Sequence, residues 1–214
     1  GSGGMARVYR AERADGAYTQ EVALKLVRGR DDLLARLRHE RHIVAGLRHP
    51  HIVSLVDGGD TDDGGVWFAM PLVDGDTIDR HADARQLDWR ARLHLFDETC
   101  AAVEYAHDLG LIHRDLKPAN ILVDPLGLPR LLDFGIAISD GDAGGNDHAL
   151  TPGYAAPEQL MGRAASVASD IFQLGLVLRD LFHVDGKRIG VAMPRAAAAD
   201  LAALITRATA STRA

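Results

Sequence analysis

One cysteine, Cys100, is present in 214 residues, so no intrachain disulfide can form and the composition fits a reducing compartment. No apolar run is long enough to cross a bilayer, and no secretory leader is evident. The expectation is a cytoplasmic stretch with no membrane segment, any anchor of the parent protein lying outside it. Basic residues are in deficit: 24 Lys and Arg against 30 Asp and Glu leave a formal net charge of −6. Phosphate backbones select basic surfaces, which argues against a nucleic-acid partner. Internal repeats are missing, as is any Cys/His cluster with metal-ligand spacing. The first residue is Gly1 and not an initiator methionine, so the sequence is expected to be a fragment cut through structure at both ends.

What is present is an ordinary hydrophobic fraction of 47%, enough for one sizeable core or two smaller lobes. The chain is organised around Ile112 to Val123, which reads I-H-R-D-L-K-P-A-N-I-L-V. Strand-like apolar runs flank it, Leu109 to Ile112 and Ile121 to Val123. Charges confined in such a frame must find partners or a metal. A plain fold has no use for His113, Arg114, Asp115, Lys117 and Asn120 in one turn; phosphoryl transfer has. Asp115 could accept the proton of an attacking hydroxyl, Lys117 could hold the moving phosphate, and Asn120 could bind a metal ion.

Taken in order, Gly1-Ser2-Gly3-Gly4-Met5 is a glycine-rich turn leading into β-prone residues through Val8. It reads equally as a phosphate-cradling loop or a flexible terminus. Glu21 to Val27 alternates as a strand with Lys25 on the phase opposite Leu24 and Leu26, which alone describes a surface lysine. The following helical stripe of Leu33, Leu37, Val44 and Leu47 includes Glu40. A carboxylate on an inward face needs a cation, and Lys25 is the natural partner. A strand is expected from Ile52 through Val56, an acidic glycine-rich turn from Asp57 to Gly65, and another strand from Val66 to Met70. At Pro71 the texture changes from β-rich to helical. The spacing of Leu93, Phe96, Cys100, Val103 and His107 predicts a long helix from Asp88 to Gly110. Asp133 closes an apolar strand. Ser139 to His148 is too polar to pack, Ile171 to Phe182 reads as a central buried helix headed by Asp170, and Leu201, Leu204 and Ile205 mark one side of a final helix.

Together these residues resemble the eukaryotic-like (Hanks-type) Ser/Thr protein kinases of bacteria. His113-Arg114-Asp115 through Asn120 is similar to the catalytic loop, Asp133-Phe134-Gly135 to the metal-binding triplet, Val22-Ala23-Leu24-Lys25 to the strand-lysine motif, and Ala156-Pro157-Glu158 to the motif closing the activation segment. The resemblance implies an α+β, bilobal fold: a small β-rich lobe with one main helix (1–70), a hinge (71–76) and a larger, mostly helical lobe (77–214). It implies a non-specific serine/threonine kinase that uses ATP with Mg²⁺ (or Mn²⁺) and phosphorylates proteins in signalling. The implied catalytic set is Asp115, Lys117, Asn120, Lys25 and Glu40. Gly1, Ser2, Gly3, Gly4, Met5, Val8, Ala23, Lys25, Met70, Pro71, Val73, Leu122 and Asp133 would bind the nucleotide, and Asn120 and Asp133 the metal. Val44, Leu55, His113 and Phe134 match the regulatory stack between the lobes.

Several features depart from the pattern. Ala6 replaces the third loop glycine, and the run His183 to Pro194 is short where the family carries helices. The arginine that would pair with Glu158 belongs to that region. Ser139 and Thr151 are the hydroxyls of the activation segment, and Thr151 matches a structural threonine. Asp140, Asp142 or Asp147 would then supply charge that loop phosphorylation supplies elsewhere. Two alternatives stand beside the active kinase. A pseudokinase or ATP-binding scaffold would have lost Lys25, Asp115 or Asp133, all of which are kept. A small-molecule phosphotransferase would not need Lys117 and the Ala156-Pro157-Glu158 platform.

Overall fold

The computed structural model describes residues 6–14, 19–29, 34–35, 37–38, 41, 44–133, 151, 153–184 and 189–210. Strands β1 (Ala6–Glu12), β2 (Glu21–Val27), β3 (Asp57–Asp60) and β4 (Val66–Pro71) form an antiparallel sheet in the order β1-β2-β4-β3. The register pairs Val8 with Lys25, Lys25 with Phe68 and Ala23 with Met70. Directly opposed residues share a face, so Val8, Ala23, Lys25, Phe68 and Met70 lie on one side of the sheet. That side is inward: Val27, Val66, Phe68 and Met70 join Leu34 and Leu37 in the small core. Lys25 is buried with them, while Leu24 and Leu26 are only half-buried. The surface-lysine reading of Lys25 is excluded.

Two expectations are corrected in this lobe. The supposed turn at Asp57 to Asp60 is an edge strand, and the supposed strand from Ile52 to Val56 is a single parallel bridge from Ile52 to Leu131. The connector bonds to both lobes: Leu131 N–H donates to His51 O at 2.7 Å and Val53 N–H to Leu131 O at 2.9 Å, while Val56 N–H donates to Ala69 O of β4 at 2.8 Å. Glycine suits β3 because a Cβ on Gly59 would stand 2.8 Å from the Trp67 indole nitrogen. Leu33 and Glu40 lie outside the described residues; Leu34, Leu37 and Val44 are buried helical residues, and Leu47 is buried just past the helix.

The larger lobe contains β5 (Asp76–Thr77), α1 (Ile78–Ala84), α2 (Trp89–Asp108), a single turn at Pro118–Asn120, β6 (Ile121–Val123), β7 (Pro129–Leu131), α3 (Pro157–Leu160), α4 (Val167–Leu181) and α5 (Arg195–Ala208). Strands β5, β6 and β7 form a second small antiparallel sheet. Asp88 caps α2 by accepting from Ala91 N–H at 2.9 Å. At the other end Gly110, at φ +76°, lets its N–H reach His107 O while Leu111 N–H reaches Ala106 O. This left-handed closure is what glycine supplies at a helix end, so the run Leu109 to Ile112 is a cap and not a strand. The buried stripe of α2 is Arg92, Leu95, Thr99, Ala102, Val103 and Ala106, displaced from the expected one. Leu93, Phe96 and Cys100 pack on its flank. Arg92 could not be read as core from polarity, yet its guanidinium donates to Leu87 O, Ala82 O, Leu181 O and Asp83 Oδ1, tying three helices together. Burial pushes the Cys100 thiol up to about 12, as expected of a packed thiol.

Helix α4 is the central helix; it starts three residues before Asp170. Helix α5 packs on it through Leu201 and Ile205, whereas Leu204 points to solvent. The approach is close at Gly175, where a Cβ would stand 2.7 Å from Ala208 Cβ and 2.9 Å from Thr209 Cγ2. Gly175→Val is therefore expected to lower stability by about 1–3 kcal/mol through overpacking. Chemical denaturation measures it, and an unchanged midpoint would mean that α5 does not seat on α4.

Candidate active site

The loop around Asp115 is built on α4. Asp170, fully buried in its first turn, accepts from His113 N–H (2.8 Å), Arg114 N–H (2.8 Å) and the His107 ring (2.7 Å). One turn later Gln173 accepts from Leu116 N–H at 2.7 Å and donates to Arg114 O at 2.9 Å. Gln159 of α3 donates to the same carbonyl at 2.9 Å. Five side-chain contacts thus fix the backbone from His113 to Leu116. They hold Arg114 at φ +73°, a left-handed value that non-glycine residues adopt at a cost of about 1–2 kcal/mol.

On this base the loop's polar side chains converge. Asp115 Oδ1 accepts from Thr151 Oγ1 at 2.9 Å, and its Oδ2 lies 2.7 Å from Lys117 Nζ and 3.1 Å from Asn120 Nδ2. Lys117 also donates to Thr151 Oγ1, and Asn120 Nδ2 to Asp115 O at 2.7 Å. The Asp115 side chain keeps about a quarter of its surface open. A carboxylate so oriented and still accessible can take a proton from an incoming hydroxyl.

Asp133 follows β7 at φ +62° and meets Lys25 Nζ at 3.0 Å. The contact joins the small-lobe sheet to the end of the large lobe's hairpin. Glu40, the expected partner of Lys25, lies outside the described residues. Between the two carboxylates sits His113, fully buried and with its pKa lowered mainly by desolvation. Its Nδ1 accepts from Asp115 N–H at 3.4 Å, which leaves Nε2 to donate to Leu132 O at 2.8 Å. One neutral ring therefore braces the backbone at Asp115 and immediately before Asp133.

The site's oxygen donors fit a hard cation. Asn120 commits its amide nitrogen to Asp115, which leaves its oxygen free to coordinate, and the side chain of Asp133 is about a quarter open. Among the described residues no group of three or more His, Cys, Asp or Glu side chains is placed to hold an ion. Mg²⁺ commonly takes one or two protein carboxylates and completes its shell with water and phosphate oxygens.

For the nucleotide, the sheet register sets Val8 beside Lys25 and Ala23 beside Met70. Val8 is exposed, Ala23 and Leu122 are half-buried, and Met70 belongs to the small core. Pro71 and Val73 line a cavity of about 560 Å³ together with Ile52, Asp74 and Arg130. That cavity excludes Val8, Ala23, Met70 and Leu122, so it is not the expected adenine site. Gly1 to Met5, Phe134, Gly135, Ser139, Asp140, Asp142 and Asp147 lie outside the described residues. Glu158, expected to look for a distant arginine, accepts from Ser169 Oγ. Gln159 and Gln173 were missed, because a glutamine in a helix carries no mark that separates a buried brace from a solvated side chain.

The family described as "Protein kinase domain" matches residues 1–186. Serine/threonine-protein kinase PrkC of Bacillus subtilis is 36% identical over 189 residues, covering 85% of this chain and 29% of that protein. Serine/threonine-protein kinase PknA of Mycobacterium tuberculosis is 35% identical over 199 residues, 87% of this chain and 45% of its own. The DNA damage-responsive serine/threonine-protein kinase RqkA of Deinococcus radiodurans is 37% identical over 190 residues, 83% and 28% respectively. The chain spans less than half the length of these relatives.

Proposed function

The chain belongs to the protein kinase family, and from that membership we propose that it transfers the γ-phosphoryl group of ATP to serine and threonine hydroxyls of proteins, as a signalling kinase. One observation carries the reading: Asp115, oriented by Thr151, Lys117 and Asn120, shares its buried brace His113 with the Lys25–Asp133 pair. The acceptor O–H gives its proton to Asp115 as its oxygen bonds to the γ-phosphorus, and the bond to the β,γ-bridging oxygen breaks to release ADP. Lys117 stabilises the charge on the moving group. Lys25, with Glu40, positions the α- and β-phosphates. Gly1 to Met5 covers them, while Val8, Ala23 and Leu122 enclose the adenine between Met70 and the backbone of Pro71 and Val73. Asn120 and Asp133 would hold Mg²⁺, which supplies electrostatic stabilisation to the phosphates when bound. The functional units are a small lobe at 1–70, a hinge at 71–76 and a large lobe from 77. The compartment is the cytoplasm, in keeping with a single half-buried thiol. Nothing in the site favours a binding-only role.

Lys25→Met tests the assignment. Label from γ-labelled ATP should appear on serine and threonine, not tyrosine, of a generic protein acceptor, and the substitution should cut transfer by about 10²-fold or more, on the scale of losing one preorganised charge. Wild-type turnover in the variant would remove Lys25 from the site. Label on tyrosine would reassign the acceptor.

A further inference from the structure

Two of the three side chains that pin the catalytic loop, Gln159 and Asp170, are each followed by an exposed apolar residue. Gln159 holds Arg114 O, and Leu160 after it is 69% exposed, with Met161 at 67%. Asp170 holds His113 N–H and Arg114 N–H, and Ile171 after it is 47% exposed; Val167, one turn earlier on the same face of α4, is 43% exposed. The two elements are cross-braced, since Ser169 donates to Glu158 and Gln173 to Gln159. These four side chains are therefore carried on the rigid frame that positions Asp115. Large exposed apolar groups gathered on one frame mark an interaction surface more often than chance exposure.

We propose that Leu160, Met161, Val167 and Ile171 form a docking face for the acceptor protein, selecting acceptors with Leu, Ile, Met or Phe a few residues from the phosphorylated serine or threonine. The inference rests on the protein-kinase reading and names the substrate class of that site. Continuity argues for this occupant. Thr151 touches the Asp115 carboxylate and Gln159 holds Arg114 O, so the segment that carries this face is tied at both points to the loop that would receive the acceptor. Charge argues the same way. Arg163 is the one charged residue between Gln159 and Ala168, and a second copy of the chain would bring another −6 of net charge. An apolar anchor with a nearby acidic residue complements the face.

The test is phosphorylation of a degenerate Ser/Thr peptide library by the wild-type chain and by the double variant Leu160→Ser, Met161→Ser. Both positions are exposed, and thermal unfolding checks that the variant is folded. The wild type should favour peptides with a large apolar residue at a fixed offset by about tenfold over alanine, the scale of one apolar pocket contact. The variant should lose most of that preference while its KM for ATP stays the same. An unchanged preference in the variant, or none in the wild type, overturns the proposal. So does a change in oligomeric state between the two by sedimentation, which would make a second copy the occupant. ATP hydrolysis without phosphorylation of any peptide or protein would instead overturn the protein-kinase reading, and the docking face with it.

Discussion

Asp133→Ala is expected to abolish Mg²⁺-dependent phosphate transfer while the chain still folds. The carboxylate stands 3.0 Å from Lys25 Nζ and keeps about a quarter of its surface open. Its removal takes away the carboxylate proposed to hold the ion, together with the group facing a buried ammonium. Metal stabilisation of a transferring phosphoryl group amounts to several kcal/mol, and each 1.36 kcal/mol is tenfold, so the loss should be about 10³-fold or more. Backbone geometry dictates a second variant. Asp133 sits at φ +62°, where asparagine is far better tolerated than alanine, so Asp133→Asn separates loss of charge from backbone strain. Both variants should be inactive, and Asn should be the more stable by about 1–2 kcal/mol. Turnover measured across a Mg²⁺ titration decides it, and wild-type turnover in the Asn variant would remove the metal role.

The second large effect belongs to Asp170. Its carboxylate, with no exposed surface, accepts from two consecutive backbone N–H groups and from His107. Asp170→Ala leaves those donors buried and unmatched, and breaking a buried charged network of this kind costs about 3–5 kcal/mol. Arg114, held at its left-handed φ partly by this contact, should relax, and Asp115 should leave its position. Asp170 is a positioning residue, and its signature distinguishes it from a merely structural one. In Asp170→Asn, where one oxygen still accepts, kcat should fall while the KM for ATP stays near the wild-type value. A variant with lowered stability but unchanged kcat would confine Asp170 to the core.

The parts of the site legible in the sequence were those whose residue types are costly without a task. Charges in an apolar frame pointed to Asp115, Lys117 and Asn120, and an acid closing an apolar strand pointed to Asp133. The ends of α2 were legible as well, because Asp88 and Gly110 each answer a specific backbone need. Features carried by tertiary contact were not. The strand Asp57–Asp60 has no apolar alternation; glycine lets it lie under Trp67. Ile52 and Val53 look like strand residues, but their backbone is claimed by β7 of the other lobe. The buried face of α2 contains Arg92 and Thr99, whose polarity hides their position. That Lys25 would meet Asp133 could not be read from either strand, because it depends on how the lobes are set against each other.

The central claim is that Asp115 is the carboxylate at which a protein hydroxyl is activated. The direct measurement is transfer from γ-labelled ATP to a protein acceptor by the wild-type chain and by Asp115→Asn, an isostere that can keep the Thr151 hydrogen bond. General-base catalysis contributes about 10²–10⁴-fold. Label is expected on serine and threonine with the wild-type chain, with a loss of that size in the variant and little change in the KM for ATP. Equal transfer by the two proteins would contradict the claim.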